Sequence, residues 1–301
     1  MHRCQTSSVD DPHGDRTLSL VMRGRGIMQE SQMSRVFDEL AFRLTRLLSH
    51  RAEKRMPLPM PYFVSRGDYI GQRLFSTGAF ERTTITGVYQ YLSERPGRSG
   101  AFLDIGANIG VYSIPFSSLF GDLFAVEINP STYHALEANV LMSKCENIKS
   151  INIGVSEQPG TTQLKVRKDG QAGWARLGDA DPEFYESLDV QVTTIDRLVS
   201  EHRIKTVSVI KIDIEGHEIN ALKGARRTLL DHKPCVLYER LSKDDDQVFE
   251  YLKTLGYSTF FTFKRSKLWP LTRKSRAAQT DVYQPRRSGR YDLIIAEGDE
   301  T

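Results

Sequence analysis

The run Asp104-Ile-Gly-Ala-Asn-Ile-Gly110 is a glycine-rich turn of the kind that lets a ligand approach backbone where side chains would obstruct it. Its spacing, Gly106-x-Asn108-x-Gly110, departs from the GxGxxG of dinucleotide enzymes. Asn108 stands where the second glycine would be and Val111 where the third would be. Those glycines admit a pyrophosphate onto a helix N-terminus, so this turn is poorly suited to one. A sulfonium nucleoside with a zwitterionic tail asks instead for an acceptor toward its ammonium, and Asp104 supplies the charge. Glu127 follows some twenty residues on, where a carboxylate can accept both ribose hydroxyls. Together these residues point to S-adenosylmethionine, with Gly106, Asn108, Gly110 and Asn129 grouped beside Asp104 and Glu127 as cofactor-binding residues.

A second set of acids lies further along: Asp213, Glu215 and, with them, His217, then Glu239. Alternation along an extended segment would put Asp213, Glu215 and His217 on one face. Methyl transfer from a sulfonium needs the acceptor atom held in line with the methyl group, and orientation of this kind contributes roughly 7–11 kcal/mol. It also needs a proton acceptor, worth about 10²–10⁴ in rate. Asp213 is expected to line the transfer site, with Glu215 or His217 taking the proton. A metal route is the alternative, in which Asp213 and Glu239 hold Mg²⁺ against the acceptor oxygen. No third ligand is evident in the sequence, so the route without metal is preferred.

Elements must bring these residues together, and the hydropathy pattern provides them. Strands are expected at Ala101–Ile105, Leu123–Glu127, Ile148–Ile153, Val207–Asp213, Cys235–Glu239, Tyr257–Phe263 and Tyr291–Ala296. Helices are expected at Thr83–Ser93, Ile109–Leu119, Pro130–Ser143, Glu218–Leu230 and Asp244–Leu255. This alternation calls for a parallel sheet with right-handed crossovers, and the acids then fall at strand carboxyl ends. Thr161–Val166 and Asp189–Thr193 suggest an inserted antiparallel pair.

At these residues the chain resembles the FkbM family of methyltransferases. The resemblance runs from about Gly67 to Ala296. Its blocks are Gly78-Ala-Phe-Glu81, Asp104 to Gly110, Ala125-Val-Glu-Ile-Asn-Pro130, Thr194-Ile-Asp-Arg-Leu198, Ile210-Lys-Ile-Asp-Ile-Glu-Gly-His-Glu218, Leu222-Lys-Gly-Ala225 and Pro234 to Glu239. The block around Asp213-Ile-Glu-Gly is the most specific of them. Ile128 and His217 are mild departures. The resemblance implies a Rossmann-like α/β fold with a seven-stranded, mostly parallel sheet whose last strand is antiparallel. It also implies methylation of an oxygen, commonly a hydroxyl on a sugar, glycolipid or secondary metabolite.

Outside that region, residues 1–30 are polar and aperiodic and are expected to be disordered, and Met22, Met28 and Met33 leave the start of translation open. Residues 31–99 form a helical extension and linker ahead of a domain at 100–298. Within the extension, residues 31–51 form a basic amphipathic helix suited to a membrane surface, to packing on the domain, or to homo-oligomer contacts. Lys264 to Arg290 is rich in Lys and Arg, with Trp269 and Tyr283 among them. Such a loop could steer an anionic carbohydrate acceptor. It could equally favour RNA, for which Lys211 beside Asp213 would suit a 2′-O-ribose methyltransferase. No appended RNA-binding module is recognisable, so a carbohydrate is preferred over nucleic acid. A non-catalytic, cofactor-binding scaffold is the third reading, and the acids retained at strand ends argue against it.

Net charge of +3, 39% hydrophobic and 26% charged residues are those of an ordinary folded protein. Cys4, Cys145 and Cys235 have no CxxC spacing and read as reduced thiols. With no apolar run long enough to span a bilayer and no apolar signal core, the expected compartment is the cytoplasm.

Overall fold

The computed structural model describes residues 68–77, 80–94, 99–240, 247–263, 280–282 and 292–298. The expectations for residues 1–51, the proline-rich linker, and most of the basic 264–290 loop, Trp269 and Tyr283 included, lie outside the described residues. In chain order the helices are α1 (Tyr69–Thr77), α2 (Arg82–Ser93), α3 (Ser113–Phe116), α4 (Pro130–Ser143), α5 (Ile195–Glu201), α6 (Glu218–Lys223), α7 (Arg226–His232) and α8 (Gln247–Thr254). The strands are β1 (Ala101–Ile105), β2 (Leu123–Val126), β3 (Ile148–Ile151), β4 (Gly154–Val155), β5 (Gly160–Arg167), β6 (Arg176–Leu177), β7 (Tyr185–Thr193), β8 (Val207–Ile212), β9 (Cys235–Arg240), β10 (Tyr257–Phe263), β11 (Thr280–Val282) and β12 (Asp292–Gly298).

The main sheet runs β11-β10-β12-β9-β8-β1-β2-β3. Strands β3, β2, β1, β8 and β9 pair in parallel, and β12 lies antiparallel between β9 and β10. This is the expected seven-stranded order with its antiparallel last strand, extended at one edge by the short β11, which pairs antiparallel with β10. Central strand β1 is buried at every residue, which is why it reads as an apolar run without alternation. Leu103 and Ile105 enter the core on one face of the sheet and Phe102 the core on the other. Ile70 and Leu74 of α1 and Val88 and Leu92 of α2 pack into the Phe102 side, so the segment before the sheet shares its core.

Local chemistry explains several element boundaries. Asn129 caps α4 by accepting from the Ser131 amide at 3.1 Å, with Pro130 at the first turn. Thr194 caps α5 through the Arg197 amide at 3.1 Å. The helix expected over Glu218–Leu230 is broken into α6 and α7. At the break, a Cβ on Gly224 would lie 2.2 Å from the Ser156 carbonyl oxygen, and the Gly224 carbonyl accepts from the Asp196 amide. The helix expected from Ile109 is shortened to α3 with a 3₁₀ turn at Ser117–Leu119, because the loop before it continues through Gly110 at φ 92°. Helix α1 has no counterpart in the sequence reading. Its signal is short, with Ile70 and Leu74 one turn apart as the buried stripe.

The inserted antiparallel pair is present as a second sheet, β4-β7-β5-β6. Strands β5 and β7 pair along their length, from Gly160↔Val192 to Arg167↔Tyr185. Strand β4 pairs in parallel with the end of β7, so this excursion leaves and re-enters the main sheet's crossover at one place. No helix among the described residues is long and apolar enough to cross a membrane.

Candidate active site

A cavity of about 590 Å³ opens over the carboxyl ends of β1, β2, β8 and β9. That is an ordinary size for a small-molecule site at the strand ends of an open α/β sheet, where pockets run to about 300–1,000 Å³. On its β1–β2 side the glycine turn forms the wall. Gly106 has φ 76° and a Cβ there would lie 1.9 Å from the Asp213 carbonyl oxygen, so only glycine fits between the β1 and β8 turns. The Gly106 and Ala107 amides both donate to the Val126 carbonyl, at 2.9 and 3.0 Å. Asn108 adopts φ 51°, and its side-chain oxygen accepts from the Ile109 amide at 2.8 Å, which is how a non-glycine residue holds that left-handed turn. Asn139 of α4 donates to the Ile109 carbonyl at 2.8 Å and fixes the loop from below.

Glu127 is buried and uses both carboxylate oxygens, accepting from the Asn108 and Asn129 amides at 2.9 Å each. Burial pushes its carboxyl up to about 7, partly offset by those two amides. Gly106, Asn108 and Glu127 line the cavity, whereas Asp104, Gly110 and Asn129 do not. Gly110 lets the turn pack closely on Leu136 and Ile114, each within 3.1 Å of where a Cβ would sit. Asn129 caps α4 as described. Asp104 is 0% exposed and accepts from the Ser113 hydroxyl at 2.6 Å, with the Lys211 ammonium 3.4 Å away.

Lys211, 2% exposed, is the floor of the site. Its ammonium donates to the Gly106 carbonyl at 3.0 Å, stands 3.4 Å from carboxylate oxygens of both Asp104 and Asp213, and lies 5.0 Å over the Tyr112 ring. Burial opposes its charge, but the two carboxylates prevail and hold the ammonium above the usual lysine range. This cation thus pins the β1 turn to the β8 turn.

On the β8–β9 side, Asp213, Glu215, His217 and Glu239 all line the cavity, together with Glu81. They do not meet through alternation along an extended strand. After Asp213 the chain turns through Glu215 at φ 55° and Gly216 at φ 97°, and the turn swings the side chains to one place. Glu218 holds that turn by accepting from the Ile214 and Gly216 amides, both at 3.1 Å. Burial, then the Asp213 and Glu218 charges, raise Glu215 to about 7. Burial and the charges of Asp213, Glu81 and Glu215 raise Glu239 to about 8, and a hydrogen bond with Asp213 adds to the shift. His217 has both ring nitrogens engaged. Asn220 Nδ2 donates to Nδ1 at 3.3 Å, which leaves Nε2–H to donate to the Ser156 hydroxyl at 2.9 Å. Burial lowers its basicity below that of an ordinary imidazole.

Several cavity residues escape a sequence reading. Tyr112 donates to Glu81 at 2.9 Å. The turn over residues 171–177 forms part of the wall and is tied to the start of α1, through the Tyr69 amide to Gln171 Oε1 at 2.8 Å and the Gly173 amide to Asp68 Oδ1 at 3.4 Å. Of these, only Glu81 fell within a recognisable block. Among the described residues no three His, Cys, Asp or Glu side chains are grouped to hold a metal ion.

The sheet order and the site at its strand ends define a Rossmann-like α/β methyltransferase. Residues 104–259 match the methyltransferase FkbM domain, and the chain belongs to that family. It is 24% identical over 175 residues to the hexuronic acid methyltransferase AglP of Haloferax volcanii, covering 58% of this chain and 70% of that enzyme. It is 28% identical over 95 residues to a tRNA/tmRNA (uracil-C(5))-methyltransferase of Sulfurimonas denitrificans, covering 32% of this chain and 24% of that one. Among solved structures, the FkbM methyltransferase of Methylobacillus flagellatus KT aligns with a TM-score of 0.47 and 17% identity, over 84% of this chain and 58% of that chain.

Proposed function

We propose that the chain is an S-adenosylmethionine-dependent O-methyltransferase acting on a sugar hydroxyl. The observation that carries this reading is that one cavity joins Glu127 on its β1–β2 side to Asp213, Glu215 and Glu239 on its β8–β9 side. The residues present fit the cofactor. Glu127 spends one acceptor position per oxygen on backbone amides and retains others for a pair of ribose hydroxyls. Ile128, Ile153 and Val155 give the same side an apolar wall for a purine. When bound, S-adenosylmethionine supplies an electrophilic methyl group on a sulfonium.

The chain's own residues then have distinct tasks. Asp213, with the Lys211 ammonium 3.4 Å from its carboxylate, lines the site where the acceptor hydroxyl is oriented. Glu215 takes the hydroxyl proton, because a carboxyl near 7 titrates at the operating pH and its side chain faces the cavity. With both nitrogens occupied, His217 positions the turn through Ser156 and Asn220. Similarity to a hexuronic acid methyltransferase supports a carbohydrate acceptor. Labelled methyl from S-adenosylmethionine should transfer to glycans, and Glu215→Gln should cut kcat by roughly 10²–10⁴ with S-adenosylhomocysteine affinity retained. Labelling confined to RNA, or unchanged kcat in the variant, would defeat the assignment.

A further inference from the structure

An acid-lined cavity sets a condition on any charged acceptor. Glu81, Asp213, Glu215 and Glu239 gather on the β8–β9 side, so an anion entering there must meet a cation of the protein's own. Among the described residues that line the cavity, the permanent cations are Lys211 and Arg176. Lys211 is committed beneath the floor to Asp104, Asp213 and the Gly106 carbonyl. Arg176 makes no ion pair within 4 Å among the described residues; its charge acts at longer range on Glu215, and of its five N–H donors one is used, at 3.3 Å, on the Asp179 carbonyl.

The surroundings of Arg176 are built with some care for ring faces. Its guanidinium lies 5.5 Å from the Tyr185 ring, the Arg167 guanidinium lies 5.6 Å from the same ring, and Arg167 lies 5.0 Å from the ring of Trp174. Asp169 anchors Arg167 through Nε at 2.9 and 3.0 Å. The result is a ladder, Trp174, Arg167, Tyr185, Arg176, standing on the inserted sheet. Its last ring, Trp174, is 49% exposed yet belongs to the cavity wall. The turn that carries it is tethered to Asp68. An indole held open at a cavity wall offers a platform for the C–H face of a pyranose. The Arg176 guanidinium, at the other end of the ladder and also on the cavity wall, matches one planar carboxylate in two parallel hydrogen bonds. One cation with free N–H donors among acids suits a monoanion and not a diphosphate.

We infer that Trp174 and Arg176 form the acceptor subsite and select a sugar bearing a single carboxylate, a uronic acid unit. The inference rests on the sugar O-methyltransferase reading and assigns its specificity to the β5–β7 insertion.

The test uses the full chain saturated with S-adenosylhomocysteine, in a Trp269→Phe background so that Trp174 is the sole indole, titrated with methyl β-D-glucuronide and with methyl β-D-glucoside. Fluorescence of Trp174 and saturation-transfer NMR read binding. The glucuronide should bind at least about tenfold more tightly, and Arg176→Ala should weaken it roughly 10- to 100-fold while leaving the glucoside unchanged, the range for losing a hydrogen-bonded charge. Arg176→Lys should recover part of the preference, and Trp174→Ala, followed by NMR, should weaken both sugars alike. Unchanged S-adenosylhomocysteine affinity shows that the variants are folded. Equal binding of the two sugars, no binding of the glucuronide, or a preference that survives Arg176→Ala would overturn the subsite. Preference lost in Arg176→Ala but no methyl transfer to either sugar would uphold the subsite and defeat the reaction. Methyl transfer that ignores Arg176 would do the reverse.

Discussion

Glu127 and Glu215 face one cavity and are both raised to about 7, chiefly by burial, yet what acts on each beyond burial differs. Glu127 is buried against backbone, and the forces that moderate its shift are two amides fixed by the fold. Glu215 sits among other carboxylates, so its proton affinity depends on charges that ligands and pH can change. The first arrangement suits a group that must present constant geometry to an invariant cofactor. The second suits a group whose protonation must change during a reaction. The β1–β2 side is therefore a fixed receptor, and the β8–β9 side a responsive one.

The largest way to break the fixed side is Gly106→Ala. A Cβ 1.9 Å from the Asp213 carbonyl, at φ 76°, should force the β1 and β8 turns apart and cost more than about 4 kcal/mol, or abolish folding, read by urea denaturation. Lys211→Met should come next, at about 3–5 kcal/mol, because it strands the fully buried Asp104 carboxylate without its cation. Glu127→Gln should lower the unfolding free energy by about 1–3 kcal/mol, because an NH₂ replaces one of the two oxygens that accept from backbone amides, and weaken S-adenosylhomocysteine roughly 10- to 100-fold by calorimetry, the range for hydrogen bonds to a charged group.

The responsive side should show itself in pH instead. Glu239 has a folded-state value of about 8, above the ordinary carboxyl value of 4.5. The fold therefore binds this proton more tightly than the unfolded chain does, and stability is lost as pH rises from 4.5 through 8. Glu239→Gln should match the parent at pH 5 and exceed it by on the order of 1–2 kcal/mol at pH 9, a modest figure because the carboxyl faces the open cavity. Parallel stability curves for the two proteins across that range would refute the shared-charge account. Glu127→Gln should show no dependence on the β8–β9 acids.

The same contrast explains what could be read from sequence. The β1–β2 side was legible because it is local. A strand, a glycine turn and an acid at the next strand end follow one another within some twenty residues, and burial on both faces gives β1 an uninterrupted apolar run. Even there, residue type did not reveal task. Asp104 is buried beneath the loop, Gly110 serves packing, and Asn129 caps a helix. The acids of the β8–β9 side were visible at strand ends, but their convergence depends on a left-handed residue at Glu215 that no periodicity announces. Trp174 and Arg176 were invisible. They belong to a turn with no motif, and only the pairing of β5 with β7 and the tether to Asp68 bring that turn to the cavity.

The way the second sheet is spliced in has a consequence for how such a protein can diversify. Gly154 and Val155 pair with Val192 and Thr193, and the Ser156 amide donates to the Thr193 carbonyl at 2.8 Å. The chain is clasped where the excursion begins and ends, so everything between is a closed loop on a fixed stem. Lengthening or shortening such a loop costs little, since closure entropy grows only with the logarithm of its length. Descendants of one ancestral enzyme could exchange residues 157–191 wholesale and acquire new acceptors, while the half proposed to hold the methyl donor is inherited untouched.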